Sequence, residues 1–157
     1  MIWISTAIMT YLLIAVIIAV ALAPLLHFVP SKRTREQAGL RETAAVAGLF
    51  VEFRDLPWSQ RERAAPGHRP EQTIYYGKRL PASRGEARSQ CAWRRVGDAW
   101  EGVELRNTPP ALLEELPSGV LAASVDEGSC GVYWREQGDQ ESVACIIRVL
   151  DRWRDNL

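Results

Sequence analysis

The sequence predicts an α+β protein, with one N-terminal transmembrane helix followed by a small, mainly antiparallel sheet with flanking helices. Three observations predict it: residues 2–23 carry no charged side chain, strand-forming segments follow one another within residues 49–136, and one clear amphipathic stripe occupies residues 140–154. Strands that are grouped, with helices at the flanks, are typical of antiparallel α+β domains. The chain of 157 residues therefore divides into a transmembrane anchor (1–30), a juxtamembrane helix (31–48) and a cytoplasmic α+β domain (49–157).

The apolar N-terminus has the length of a membrane anchor. Its 22 uncharged residues would rise about 33 Å as a helix, and the hydrocarbon core of a bilayer is ~30 Å thick. A cleaved signal peptide is the alternative, because Ala21-Leu22-Ala23 resembles a small-residue cleavage site. The length of the apolar run, the lack of a basic residue before it and Pro24 after the cleavage site count against cleavage. We therefore expect a retained anchor.

The charges beside the anchor predict its orientation in the membrane. Basic residues accumulate on the cytoplasmic side of single-span proteins, so we expect an external N-terminus and a cytoplasmic domain. Three cysteines without any C-x-x-C spacing fit that reducing compartment. Cations near the inner leaflet also attract anionic lipid. The residues expected at the membrane interface are Lys32, Arg33, Arg35, Trp3 and His27.

Each element of the cytoplasmic part has a local sequence signal. Ser31 is a helix cap, and Gly48 is a typical residue after a helix end. Alternating apolar residues predict strands, and Asp139 precedes a helix with apolar residues at a spacing of three and four. The expected order is helix 31–47, strand 49–55, long loop 57–72, strand 73–80, loop 81–87, hairpin strands 91–96 and 100–105, short helix 108–116, hairpin strands 119–126 and 130–136, and helix 140–154.

The sequence predicts neither a metal site nor a cofactor site. It contains two distant histidines and three scattered cysteines, with no phosphate-binding glycine loop and no nucleophile motif. His68 and Cys91 are the first candidates for a base and a nucleophile, and nothing in the sequence places them together. We therefore expect a domain that is not an enzyme and binds no cofactor, with an unrecognised enzyme as an alternative.

Charge is unevenly distributed along a chain of zero net charge. Residues 61–95 hold nine Lys and Arg against three acids, and residues 96–157 hold five against twelve. Either the two parts pair within one domain, or the basic part faces a partner or anionic lipid. Trp58, in a proline-rich loop, is the tryptophan that we expect to be partly exposed; nucleic acid is not expected as a partner of a neutral domain. The candidate partner-binding residues are Trp58, Arg61, Arg63, Arg69, Lys78 and Arg79.

Several stretches spread over the chain form a recognisable layout: PSKRTREQAGLRE after the apolar N-terminus, GLFVEFRDLP, the pair Trp93 and Trp100, LLEELP, and GVYWREQGD. In this layout the chain resembles a family of uncharacterised proteobacterial single-span inner-membrane proteins, sometimes labelled YajC-like after the small accessory subunit of the preprotein translocase. The resemblance implies a membrane helix with an external N-terminus, a basic cytoplasmic start, and another membrane protein or complex as the partner. We expect a bitopic inner-membrane protein with a non-catalytic interaction or scaffolding domain, an accessory subunit of a membrane complex; a translocase subunit is an alternative.

Overall fold

The computed structural model describes residues 2–26, 31–82, 89–104 and 107–157, and within 2–26 it describes the side chains of 9–23. The chain forms two compact units, Met1–Glu36 and Gln37–Leu157. The first unit holds helix α1, Ile2–Leu26, and the start of α2, Lys32–Val46. Within the part of the chain that the structure describes, no helix combines the length and the apolar character needed to cross a membrane.

The predicted cap residues, Ser31 and Gly48, mark the two ends of helix α2. The backbone N–H of Thr34 donates to Ser31 Oγ at 3.2 Å, which is the expected cap of a helix start. After the helix, Gly48 adopts a φ of +79°, a left-handed conformation that a residue with a side chain rarely adopts. The N–H of Leu49 then donates to the carbonyl of Ala44 at 3.0 Å, so the chain turns directly into the first strand.

A six-stranded antiparallel sheet forms the centre of the second unit, in the spatial order β1-β2-β6-β5-β3-β4. This confirms the predicted α+β class and the mainly antiparallel sheet. Strands β1 and β4 are the two edges, and β3 pairs with both β4 and β5. The strands are β1 Phe50–Asp55, β2 Gln72–Arg79, β3 Cys91–Val96, β4 Ala99–Gly102, β5 Val120–Val125 and β6 Ser129–Trp134.

One face of the sheet carries the main core. Helix α2, the C-terminal helix α4 (Gln140–Asp155) and a 3₁₀ helix (Ala111–Glu115) contribute to it. Asp139 caps α4 by accepting the N–H of Ser142 at 3.0 Å, as predicted. The fully buried side chains of this core include Val132, Trp134, Val143, Ile146 and Leu150.

The opposite face carries a smaller cluster of buried residues, Leu56, Tyr75, Ala122 and Tyr133, against which Trp58 and Phe50 pack. Tyr75 is fully buried, and its ring lies against the backbone of Gly77 on its own strand and Gly131 on β6. The segment 56–71, which contains the short helix α3 (Gln60–Arg63), lies over part of this face through Trp58.

Three local predictions need correction. The long loop expected at 57–72 contains α3, because Ser59 and Glu62 form a capping box within the proline-rich stretch. The short helix expected at 108–116 is a 3₁₀ helix that begins later, since Pro110 occupies its cap position and makes no side-chain cap bond. Strand β4 ends at Gly102, and residues 83–88 and 105–106, which belong to a predicted loop and a predicted strand end, lie outside the described residues.

Candidate functional site

A cavity of about 700 Å³ opens on the less covered face of the sheet, in the second unit. Its wall combines the segment 56–71 with residues of β1, β3 and β5 and with the turn that follows β5. The polar and aromatic residues that give the wall its chemistry are Arg54, Trp58, Arg63, His68, Cys91, Glu104, Asn107, Asp126 and Tyr133.

Trp58 is half-buried and packs between two polar side chains. The His68 ring meets it edge-on, with the ring centroids 5.1 Å apart, and Arg94 Cζ lies 4.1 Å from the indole centroid. Cation–π contacts of this kind contribute about 0.5–1 kcal/mol at exposed sites and more when desolvated. The indole N–H is buried and has no hydrogen-bond partner among the described residues. Trp58 is therefore held in place by stacking rather than by hydrogen bonding.

Glu62 ties the short helix α3 to strand β3. Its carboxylate accepts the N–H of Ser59 at 3.0 Å and Arg94 Nη1 at 3.0 Å. Hydrogen bonds from the Ser59 side chain and backbone, helped by Arg94, lower the pKa of Glu62 below its usual value. Next to it, Arg63 lies 3.6 Å from the carboxylate of Glu104. The first ion pair attaches the segment to strand β3, and the second, between two exposed side chains, joins it to the chain that follows β4.

Arg54 and Asp126 form the other end of the wall. Arg54 Cζ lies 3.9 Å from the centroid of the Tyr75 ring, and Arg54 Nη1 lies 3.4 Å from Asp126 Oδ2. Asp126 Oδ1 accepts the N–H groups of Gly128 at 2.9 Å and Ser129 at 2.6 Å. Burial opposes ionisation of this carboxyl, but the bonds from Ser129 and Gly128 outweigh it and leave the pKa of Asp126 below its usual value. Asp126 is thus a charged anchor of the turn between β5 and β6.

His68 and Cys91 line the same cavity, although they are 23 positions apart in the sequence. Cys91 begins β3, where it pairs with Val125, and its sulfur accepts Asn107 Nδ2 at 3.1 Å. The sequence does not predict that both residues border one cavity, because this depends on how the segment 56–71 folds back over the sheet, and the Cys91 side chain itself packs against the main core. In the described part of the chain, no group of three or more His, Cys, Asp or Glu residues is placed to hold a metal ion.

The structure separates the six residues predicted to bind a partner. Trp58, Arg61, Arg63 and Arg69 share the segment 56–71, and the three arginines are exposed. Lys78 lies on the helix-covered face, where its side chain is 12% exposed and bonds to Asp151 of α4. Arg79 is exposed at the end of β2.

Among the described residues, the basic and acidic parts of the chain pair within the domain where Arg63 meets Glu104 and where Lys78 meets Asp151. The charge of Lys78 therefore contributes to attaching α4 to the sheet and is not available on the surface. Of the predicted partner-binding residues, those in the segment 56–71 form one candidate surface together with the cavity.

The residues predicted at the membrane interface are described only in part. Lys32, Arg33 and Arg35 are exposed. The Lys32 side chain is 93% exposed, and its Nζ lies 3.8 Å from Glu36 Oε1. His27 and the side chain of Trp3 lie outside the described residues.

Sequence reasoning missed Arg54, Glu62 and Asp126 as parts of this site. Only Glu62 had a local signal, the capping-box spacing with Ser59. Arg54 and Asp126 come together through the pairing of β1 with β2 and of β2 with β6, which no local pattern predicts. No protein-family model matches the chain, and neither the curated proteins nor the solved structures with which it was compared include a match.

Proposed function

We propose that the chain is a bitopic inner-membrane protein, with an external N-terminus and a cytoplasmic α+β domain that binds another component of a membrane complex. The anchor is supported by residues 2–23, which carry no charge, and by α1, whose 25 residues are helical. The exposed cations Lys32, Arg33 and Arg35 follow the apolar run directly and support the orientation and contact with anionic lipid.

The observation that supports a binding role best is the segment 56–71. It presents three exposed arginines beside an open cavity, and Trp58 and Glu62 hold it against the sheet. A fixed aromatic residue and nearby arginines are what protein interfaces use as binding hot spots. The cavity wall pairs its own charges, Arg54 with Asp126 and Arg63 with Glu104, and this favours a binding surface over a reactive centre. The partner is therefore a protein that contacts Trp58 and the exposed arginines.

In-cell photo-crosslinking tests the binding role directly. A photoreactive residue replaces Arg61 or Arg69 in the full chain, and the matched control replaces Glu141, which is exposed on α4 away from the segment. We expect the same discrete protein adduct from positions 61 and 69 and none from position 141. Equal adducts from all three positions, or none from 61 and 69, would contradict the proposal.

Membrane extraction tests the anchor separately. The full chain should stay with the membrane fraction after alkaline carbonate washing, and a reporter fused to Leu157 should report the cytoplasm. Replacing Lys32, Arg33 and Arg35 together by glutamate should reduce that orientation preference, because basic residues beside the anchor set it. A chain released by carbonate would rule out the anchor and leave the binding role of the domain open to the crosslinking test.

A thiol-dependent enzyme is the second candidate, because His68 and Cys91 both border the cavity, although the Cys91 side chain packs against the main core. If His68 activates the Cys91 thiol, it does so as a base or as a neighbouring cation that stabilises the thiolate. Site-resolved alkylation at neutral pH would then slow at Cys91 when His68 is replaced by asparagine, and would not change at the half-buried Cys145. Equal alkylation rates at Cys91 with and without His68 would exclude this candidate.

A translocase role is a narrower form of the same proposal. None of the contacts in the described residues favours the translocase over another membrane complex, so the proposal stays at an accessory subunit. The adduct from positions 61 and 69, identified by mass spectrometry, decides between these complexes.

A further inference from the structure

Strand β1 is an open edge of the sheet with an exposed aromatic residue at its middle. It pairs only with β2 among the described strands, so its outer backbone groups face away from the sheet. The ring of Phe53 is 66% exposed, on the face where Arg41 Cζ lies 5.9 Å from its centroid. Open edges of this kind template pairing with a further strand, and the described part of β1 has no proline or bulge that would prevent it.

The charges of β1 match a second copy of the same strand. If two β1 strands pair antiparallel about a two-fold axis through Phe53, residue 52 of one copy faces residue 54 of the other on both sides of the axis. Glu52 then faces Arg54 twice, and the two Phe53 rings face each other. Glu52 and Arg54 already bond within one chain, so their side chains lie on the same face of the strand and within reach of each other.

Neighbouring registers place like charges opposite each other. An axis through residue 52 faces two Glu52 side chains, and an axis through residue 54 faces two Arg54 side chains. Like charges directly opposite each other destabilise a strand pair, and opposite charges stabilise it. The axis through Phe53 is the register that makes two attractive pairs.

From this self-complementarity we infer that β1 is a homodimer interface, in which two copies of the chain join their sheets edge to edge through Glu52, Phe53 and Arg54. The result is a continuous sheet of twelve strands, six from each copy. This interface shares Arg54 with the cavity wall and otherwise differs from the surface that Trp58 and the arginines of the segment 56–71 provide for another protein.

Cysteine crosslinking of the full chain in mild detergent tests the interface. The variant Phe53→Cys places two cysteines across the two-fold axis, where antiparallel partners lie 4.5–5.5 Å apart at Cα, within the range that a disulfide bridges. The control Glu101→Cys is exposed on β4, at the opposite edge of the sheet, and carries the same three native cysteines. We expect mild oxidation to give a covalent dimer at least several times more abundant for Phe53→Cys than for Glu101→Cys.

The charge variant Glu52→Lys supplies an independent readout. It places two cations opposite the two Arg54 side chains of the dimer. The dimer dissociation constant, measured by light scattering, should therefore rise at least several-fold. A matched Glu101→Lys variant should leave the dimer unchanged, and thermal unfolding verifies that both variants are folded. A monomeric full chain, equal crosslinking of the two cysteine variants, or crosslinking of Phe53→Cys in cells to a different protein would each overturn the inference.

Discussion

Replacing Gly131 by alanine tests the packing of the less covered face of the sheet. A Cβ atom built at this position lies 2.5 Å from Tyr75 Oη and 2.5 Å from the carbonyl oxygen of Tyr76. The carbonyl belongs to the backbone of the neighbouring strand β2, so it moves only if the strands separate. The Tyr75 ring has no free direction either, because Tyr133 lies at 4.9 Å between centroids and Arg54 Cζ at 3.9 Å.

The cost follows from these contacts. Overpacking of a well-packed core costs about 1–3 kcal/mol. Displacing the ring also weakens its contact with Arg54, a further loss of about 0.5–1 kcal/mol. A total of roughly 1.5–4 kcal/mol corresponds to a fall in melting temperature on the order of 10 °C for a domain of this size. That is a large share of the 5–15 kcal/mol that stabilises an ordinary domain.

Thermal unfolding of the full chain in one fixed detergent measures the effect. The control is Gly128→Ala in the same hairpin, where the nearest atom, Asp126 Oδ1, is 4.0 Å from the added Cβ. We expect Gly128→Ala to change the melting temperature little, because nothing has to move. If Gly131→Ala melts within about 2 °C of Gly128→Ala, a loss of well under ~1 kcal/mol, the tight contact with Tyr75 and Tyr76 is refuted.

Three further predictions concern other parts of the domain. The pKa of Asp126 is lowered in the folded state, so its stabilising effect is complete above its unfolded pKa of about 3.9 and is lost as pH falls through the lower folded value. Asp126→Asn should therefore flatten part of the decline in melting temperature between about pH 5 and about pH 2. Arg41→Met should lower the free energy of unfolding in urea by roughly 3 kcal/mol, because Arg41 donates two hydrogen bonds of 2.7 Å to Glu136, whose side chain is 1% exposed. A loss under about 1 kcal/mol would contradict a buried Glu136 carboxylate that depends on Arg41 as its partner. Leu150→Ala should reduce the free energy of unfolding by about 2–5 kcal/mol, because this α4 side chain is fully buried in the main core. A change in the urea midpoint no larger than that of an alanine substitution at an exposed position would contradict this packing.

The elements were predictable where a local pattern determines them. The side chains of Ser31 and Asp139 cap the start of a helix, as such residues do in most contexts. Gly48 follows the end of a helix because it can adopt a positive φ. Glu136 shows the opposite case: it has a φ of +52° in a short connection and binds Arg41 across 95 positions of sequence. No local rule favours a glutamate in that conformation, because its stability comes from a partner that only the folded chain supplies.

The site was predictable only as a set of residue types. Trp58 and the arginines of the segment 56–71 were identified by composition, but composition also selected Lys78, which the strand alternation turns toward α4. His68 and Cys91 were identified as the first catalytic candidates without any sign that they share a cavity. What the sequence lacks is the order of the strands: β3 pairs with β5 rather than only with its hairpin partner, and this non-local pairing builds the cavity wall.

Arg54 belongs to both of the surfaces that we assign to this domain. Its guanidinium lies over Tyr75 and near Asp126 in the cavity wall, and its neighbour Glu52 on the edge strand bonds to it. In a β1 dimer, Glu52 of the second copy also approaches Arg54, so dimerisation and binding at the cavity would act on one side chain. Substitution of Glu52 acts on both surfaces, because Glu52 is absent from the cavity wall but bonds to Arg54, which is part of it. A Glu52→Lys chain that is monomeric but still crosslinks from position 69 would show that the two surfaces work independently, whereas loss of both would show that they are coupled through Arg54 or through the dimer.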